Sequence, residues 1–508
     1  MAPTRDVITM TSFLLLIAIG VGVRFRPFRT NANLGVDHWY WLLCAEDIRK
    51  RRRLPPRLPY FMLEIEEQWY PPLYAALLAL LPMKVLERHA GKISQLLDLM
   101  QGLLISFSVL WASGSTIVAF LAGFSYIIAF FPMSYNFQLQ PRGLANFLLT
   151  LITLGLWFYL DTGNMALWGV ILILSVVLLF FHKMTVQMWV VYLVGFGLWA
   201  WNLEVLLLLP ASLLLALLVS KGFYMRMLKA HWDIVSFWNE NIDFIGAHQY
   251  YDSPVYHKGT SPSTHRKRKG LNRLLLRLML IPYYNIFAPL LLPPLAYYAI
   301  SHPQGKLVSF LWVWLAITYL WAFLTTLLPF FKALGAGALY TYQSFFPMFV
   351  LLGLSIPTVP VRLQWGLYAL WAAGFVISMV QWEKYCKSIS RSKTEAIGED
   401  LREVLGYLKQ LPKDGVFCIP FRLADGTAYW TRKKVFWGGH SYGFHELLKP
   451  YFPIMREEVK KTLKKKPLNY LLYWRNYLKS LRDMDLEEGS DIRYLFGKGE
   501  YELYEIIK

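Results

Sequence analysis

The chain has 508 residues, 56% hydrophobic and 17% charged, with a formal net charge of +19. An ordinary soluble protein is nearer a quarter charged, and here the apolar residues come in long blocks. Those blocks exclude a soluble globular enzyme and indicate a multi-spanning membrane protein, helical because helices satisfy their own backbone in lipid. In that setting the positive excess reads as attraction to anionic membrane lipids or as a site for a phosphate-bearing substrate, and not as nucleic-acid binding.

Residues 7–23 form the first apolar span. No small-residue cleavage site precedes Arg24, so this segment reads as an uncleaved helix. A long loop, 24–95, follows. It carries Asp37 between Val36 and His38, then aromatics, a basic run from Arg49 to Arg53, the acidic Glu64, Glu66 and Glu67, and Trp69-Tyr70-Pro71-Pro72. Residues 71–86 are apolar but short, open on Pro-Pro and contain Pro82, which suits a helix lying in the interface better than a span. Spans are expected at 96–111, 117–131, 144–160, 166–181, 185–201 and 203–219, with a polar patch, MSYNFQLQPRG, at 133–143. After a polar insert at 220–279, which includes the basic run from His265 to Arg277, come spans at 281–300, 308–328, 344–356 and 365–382. The total is about eleven.

From 387 the composition turns soluble. Residues 387–508 read as a small α+β domain: a helix in EAIGEDLREVLGYLKQL, strands in GVFCIPF and TAYWTRKKVFWGG, a helix in HELLKPYFPIMREEVKKTL, and a closing hairpin in DIRYLFGKGEYELYEIIK. Residues 1–386 are the membrane domain. The 20 Trp and 31 Tyr suit interfacial belts. Cys44, Cys386 and Cys418 make neither a disulfide framework nor a metal-type spacing.

Asp37 is the first candidate for chemistry. A carboxylate at a membrane boundary can take a proton from an attacking group or hold a divalent cation. It can equally cap the helix that HWYWLLCAEDIRK predicts. His182 and Lys183 interrupt two apolar spans, either to meet a phosphate or to snorkel to the interface. The run HRKRK reads as a headgroup anchor. Glycine-rich FKALGAGALY lacks both a preceding strand and a following Lys-Ser/Thr, so it is no phosphate loop. The histidines of GGHSYGFH lack companion ligands at metal spacing and read as loop residues.

An apolar first helix, an acidic residue opening an aromatic external loop, EQWYPPLYAALLALLP at its end, SYNFQLQPRGLANFLL, YTYQSFFPMFVLLG and a C-terminal soluble domain together resemble the GT-C superfamily of membrane glycosyltransferases. Oligosaccharyltransferase catalytic subunits and protein mannosyltransferases belong to it. The resemblance implies a hexosyl- or pentosyltransferase drawing on a polyprenyl-phosphate (for example dolichyl-phosphate) sugar donor, with a protein, lipid or glycan acceptor and Asp37 as catalytic base. His38, Arg142, His182, Lys183, Tyr342 and Gln343 then fall to the substrate and its phosphate. Metal-dependent members carry carboxylates in the second external loop, where this chain has Gln138, Gln140 and Arg142. No cofactor is therefore required; if a divalent cation (Mg or Mn) is used, Glu64, Glu66 and Glu67 are its candidate ligands. An odd span count puts Asp37 and the C-terminal domain together on the outer face of the cell membrane. That placement runs against the positive-inside rule, but a polyprenyl phosphate needs cations on the active-site side. The competing class, a transporter or flippase for an anionic lipid or lipid-linked sugar, accounts for the spans and the charge. It does not account for the long first loop or the soluble domain.

Overall fold

The computed structural model describes residues 5–29, 34–242, 271–302, 305–391, 397–452, 457–477, 481–484 and 486–508. It is mostly helical, 71%, with one four-stranded sheet near the C-terminus. The chain divides into two compact units. A helical unit comprises Met1–Ala32, His89–Tyr224 and Leu274–Arg391; a mixed unit comprises Asn33–Arg88, Met225–Arg273 and Ser392–Lys508. The composition change at 387 lies close to one of these boundaries, but the unit holding the C-terminal chain also takes in the first long loop.

In the helical unit, successive apolar helices are punctuated by short polar turns that cap them. Asn164 Oδ1 accepts from the Ala166 amide at 2.9 Å and opens Met165–Leu179, and Asn202 Oδ1 accepts from the Val205 amide at 3.0 Å and opens Leu203–Val219. These bonds satisfy amides that a helix start leaves without partners. Gly163, at φ +67°, ends Arg142–Thr162 in the left-handed conformation that favours glycine. Many large apolar side chains face outward, among them Ile117 at 74% and Ile300 at 88% exposure, as befits helices whose outer solvent is lipid. Six described helices are long and apolar enough to cross a membrane, and up to eight if each of two bent pairs is one span. The expected eleven also counts shorter apolar helices such as Thr116–Ile127 and Met165–Leu179. The protein is a multi-pass membrane protein.

A polar cluster lies inside this unit. Asp98, fully buried, pairs with the Arg24 guanidinium and accepts from the hydroxyls of Tyr126, at 2.6 Å, and Tyr342. Arg24 Nε also donates to the Ile127 carbonyl at 3.0 Å, and Asn136 donates to the Tyr342 oxygen at 3.1 Å. Gly337, in the glycine-rich link, is explained by packing: a Cβ there would meet the Ala322 carbonyl at 2.1 Å.

The mixed unit is built on strands β1 (Val416–Ile419), β2 (Tyr470–Trp474), β3 (Ile492–Lys498) and β4 (Tyr501–Ile506), in spatial order β1-β2-β4-β3. β1 and β2 run parallel, and the other pairs are antiparallel. The closing hairpin and the helix Glu399–Gln410 are as expected. Strand β2 was not expected. Its run YLLYW is buried almost throughout, and without alternation a short apolar run carries no periodicity to mark it as a strand.

Two expectations are corrected here. TAYWTRKKVFWGG is not a strand: Ala424–Thr431 is helical, and only Val435 bridges, to Phe61 on one side and Val416 on the other. Small residues line the helix, and a Cβ on Gly426 would meet Ile397 at 2.6 Å and the Trp39 ring at 3.4 Å, so close packing overrides β propensity. HELLKPYFPIMREEVKKTL forms two short helices, Phe444–Leu448 and Val459–Lys465, because Pro450 falls between them and proline ends a helix.

Candidate active site

The helix His38–Arg51 sets the site. Its first turns are aromatic, and Trp39, Tyr40 and Trp41 are all buried. Trp39 packs on Tyr429 and Trp430, with centroids 5.2 and 5.9 Å away, which anchors the helix start on Ala424–Thr431. Asp37 occupies the N-cap position, but its side chain makes no capping hydrogen bond. It is left about one-third exposed.

The residue brought to Asp37 is His440. Its Nε2 lies 3.8 Å from Asp37 Oδ1 and 3.9 Å from Asp425 Oδ2, and its ring stands edge-on to Tyr40 at 4.7 Å. A glycine turn delivers it. Gly438 and Gly439 hold φ of +127° and +74°, and a Cβ on Gly438 would meet Phe61 at 2.6 Å and Asp425 Oδ1 at 2.8 Å. The Gly439 amide donates to Asp425 at 2.6 Å, and the Trp69 amide donates to Ser441 Oγ at 2.5 Å. The end of the first loop thereby clasps the turn. Burial pushes the Asp425 carboxyl above its usual value, partly opposed by His440 and by the Gly439 bond, while Asp37 adds to the rise. Both carboxylates approach the same ring nitrogen at distances longer than a hydrogen bond, so in this structure the contact is one of proximity and charge. Sequence reasoning assigned GGHSYGFH a loop role. It is a loop, but some 400 residues separate His440 from Asp37, and the flanking Gly-Gly pair was the only local sign of a special turn.

The other expected residues are placed as follows. His38 is fully buried, its ring tilted against that of Trp39 with centroids 3.9 Å apart. Burial lowers its pKa to about 3, against opposing hydrogen bonds and the Asp37 charge. With no surface open to solvent, the ring packs inside the start of the helix. Below pH 6.5 the unfolded chain binds a proton at this ring that the folded chain refuses until about pH 3. Stability should therefore fall as pH drops through that window, by up to about 1.4 kcal/mol per pH unit. Thermal midpoints measured across it should lose this component in His38→Phe; equal slopes in parent and variant would refute it.

Glu64 and Glu66 are exposed. Glu67 pairs with Arg226 at 2.7 Å and accepts from the Trp69 indole at 3.1 Å. Among the described residues, no three His, Cys, Asp or Glu side chains group so as to hold a metal ion.

The remaining candidates belong to the helical unit. Arg142 lies over the Tyr135 ring at 4.2 Å. His182 is the N-cap of Lys183–Trp199, with Nδ1 3.1 Å from Thr185 Oγ1, and Lys183 is half-buried. Gln343 is buried, its side-chain oxygen without a partner among the described residues. Tyr342 gives its hydroxyl to Asp98, so its donor is used internally. The run HRKRK lies outside the described residues.

No family model and no curated sequence matches the chain. Solved structures do. Apo ArnT from Cupriavidus metallidurans matches with TM-score 0.56 and 10% identity over 97% of both chains. The same protein bound to undecaprenyl phosphate matches at 0.54, with 10% identity and the same coverage. The apo oligosaccharyltransferase of Archaeoglobus fulgidus matches at 0.50 and 10% identity, over 92% of this chain and 69% of that one. The fold is that of the GT-C glycosyltransferases. The GT-C likeness extends along nearly the whole chain, including the C-terminal segment, and at 10% identity it is the fold that is shared.

Proposed function

We propose that this protein is a membrane glycosyltransferase that moves a sugar from a polyprenyl-phosphate-linked donor to an acceptor on the outer face of the membrane. The observation that carries the reading is the placement of Asp37 within a GT-C fold: heading an aromatic helix, with its side chain released from capping, beside His440. Asp37 takes the acceptor's proton as the acceptor attacks the anomeric carbon, and His440 and Asp425 hold its charge and orientation. The departing phosphate keeps its charge, so it needs cations more than a general acid. Arg142, His182 and Lys183 are assigned to it, with Gln343 as a neutral partner. A transporter or flippase for the same lipid leaves the long first loop and the soluble C-terminal segment unaccounted for.

The deciding assay is sugar transfer by the purified protein from a labelled polyprenyl-phosphate sugar. Lipid translocation without transfer would overturn the proposal. Transfer should survive chelation by EDTA, because Glu67 is already engaged by Arg226 and residues 133–143 offer no carboxylate. Loss restored by magnesium or manganese would show that a cation is part of the site. Asp37 and the C-terminus should also be reached from the same, outer side. The three native cysteines are buried, so Glu64→Cys and Lys508→Cys can be labelled one at a time in intact cells. Labels reacting from opposite sides would reject the topology.

A further inference from the structure

Within the mixed unit, a cavity of about 390 Å³ opens on residues that the proposed reaction does not use. Neither Asp37, Asp425 nor His440 lines it. Its size is within the range of small-ligand pockets. Five cations surround it, Lys84, Arg88, Arg402, Lys409 and Arg432, against a single carboxylate, Glu87. Glu87 accepts the Tyr429 hydroxyl and is one negative charge against five positive ones. Arg432 pairs with Glu46 at 2.7 Å. Lys84, Arg88 and Lys409 are exposed and make no ion pair among the described residues.

The walls are aromatic. Trp39, Tyr429 and Trp430 line the cavity, and they hold the two arginines in place. The Arg402 guanidinium stands 5.6 Å from the Trp430 ring, and that of Arg432 stands 4.7 Å from the Tyr429 ring. The Trp430 indole N–H is buried and has no acceptor among the described residues. Like charges gathered around one cavity repel unless an anion sits among them. Several cations converging on one cavity suit an oxyanion with several acceptor oxygens better than a lone carboxylate, which one arginine can satisfy.

We infer that this cavity is a second ligand site, for a phosphate monoester carried on a sugar or on a lipid. The phosphate would lie among Lys84, Arg88 and Lys409, with the carrier against the aromatic walls. The inference stands apart from the transfer reading, and either can fail alone.

The test uses the full-length protein in phosphatidylcholine nanodiscs, in phosphate-free buffer. One arm titrates glucose 6-phosphate, with glucose as control, by calorimetry. The other places phosphatidic acid in the nanodisc and counts the molecules retained by native mass spectrometry. The variants are Lys84→Gln/Arg88→Gln and Lys409→Gln, exposed changes whose folding is checked by thermal unfolding. Saturable binding of the sugar phosphate but not of glucose, weakened tenfold or more in the variants, supports a soluble source. Retention of phosphatidic acid that the variants lose supports a lipid source. No saturable binding in either arm, or binding that the variants leave unchanged, overturns the inference.

Discussion

Replacing Asp37 by Asn should lower sugar transfer by about a hundredfold to ten-thousandfold, the usual worth of a positioned general base. Donor binding and folding should be nearly unchanged. The substitution keeps the shape of the side chain and removes its proton affinity. Because Asp37 makes no capping bond to the helix it heads, the helix loses at most the charge's favourable interaction with its N-terminus, less than about 1 kcal/mol. The rate separates the base from a plain N-cap: Asn caps a helix about as well as Asp, so a residue that only capped would lose neither stability nor transfer. The check is the initial rate of transfer from a labelled donor together with a thermal midpoint. Near-normal turnover would remove Asp37 from the site. His440→Asn gives a graded companion: if the imidazole steadies the Asp37 carboxylate across 3.8 Å, the rate should fall less than for Asp37→Asn and its pH profile should shift.

The parts of the fold that were legible in the sequence are those written in long apolar runs. Blocks such as 144–160 and 308–328 appear as the helices Arg142–Thr162 and Lys306–Leu327, because a helix that must satisfy its own backbone in lipid leaves an unbroken signature. Asp37 stood out in the sequence as an acidic residue in the loop after the first span, and the family resemblance gave it the role proposed above. His440 and Asp425 did not stand out. They reach Asp37 through parallel bridges that join Phe61 to Val435 and Val435 to Val416, and pairing between segments hundreds of residues apart leaves no local periodicity. His38 shows the opposite failure. Beside Asp37 in sequence, it looked like a neighbour in the site, yet the helix turns its ring into the protein. Tyr342 was picked out as a polar residue near a late helix, while the group it serves, Asp98, passed unnoticed inside the span 96–111.

That omission leads to the second large effect. Asp98→Asn should destabilise the protein by about 3–5 kcal/mol, the cost of leaving one member of a buried ion pair without the other. Arg24 would keep only uncharged acceptors: the carbonyls of Ile127 at 3.0 Å and Tyr126 at 3.2 Å, and Gln95 Oε1 at 3.4 Å. A guanidinium cannot give up its proton to escape this. Arg24→Met should cost less, since the Asp98 carboxyl retains the hydroxyls of Tyr126 and Tyr342. Replacing both, as Arg24→Met with Asp98→Leu, should recover much of the loss, because apolar side chains of similar volume avoid desolvating two charges. The order of thermal midpoints in detergent is thus parent and double variant above Arg24→Met, and Arg24→Met above Asp98→Asn. Single variants that melt with the parent would mean that the pair contributes nothing to stability. If Asp98→Asn then abolished transfer while melting with the parent, the cluster around Arg24 would belong to the reaction and not to the scaffold.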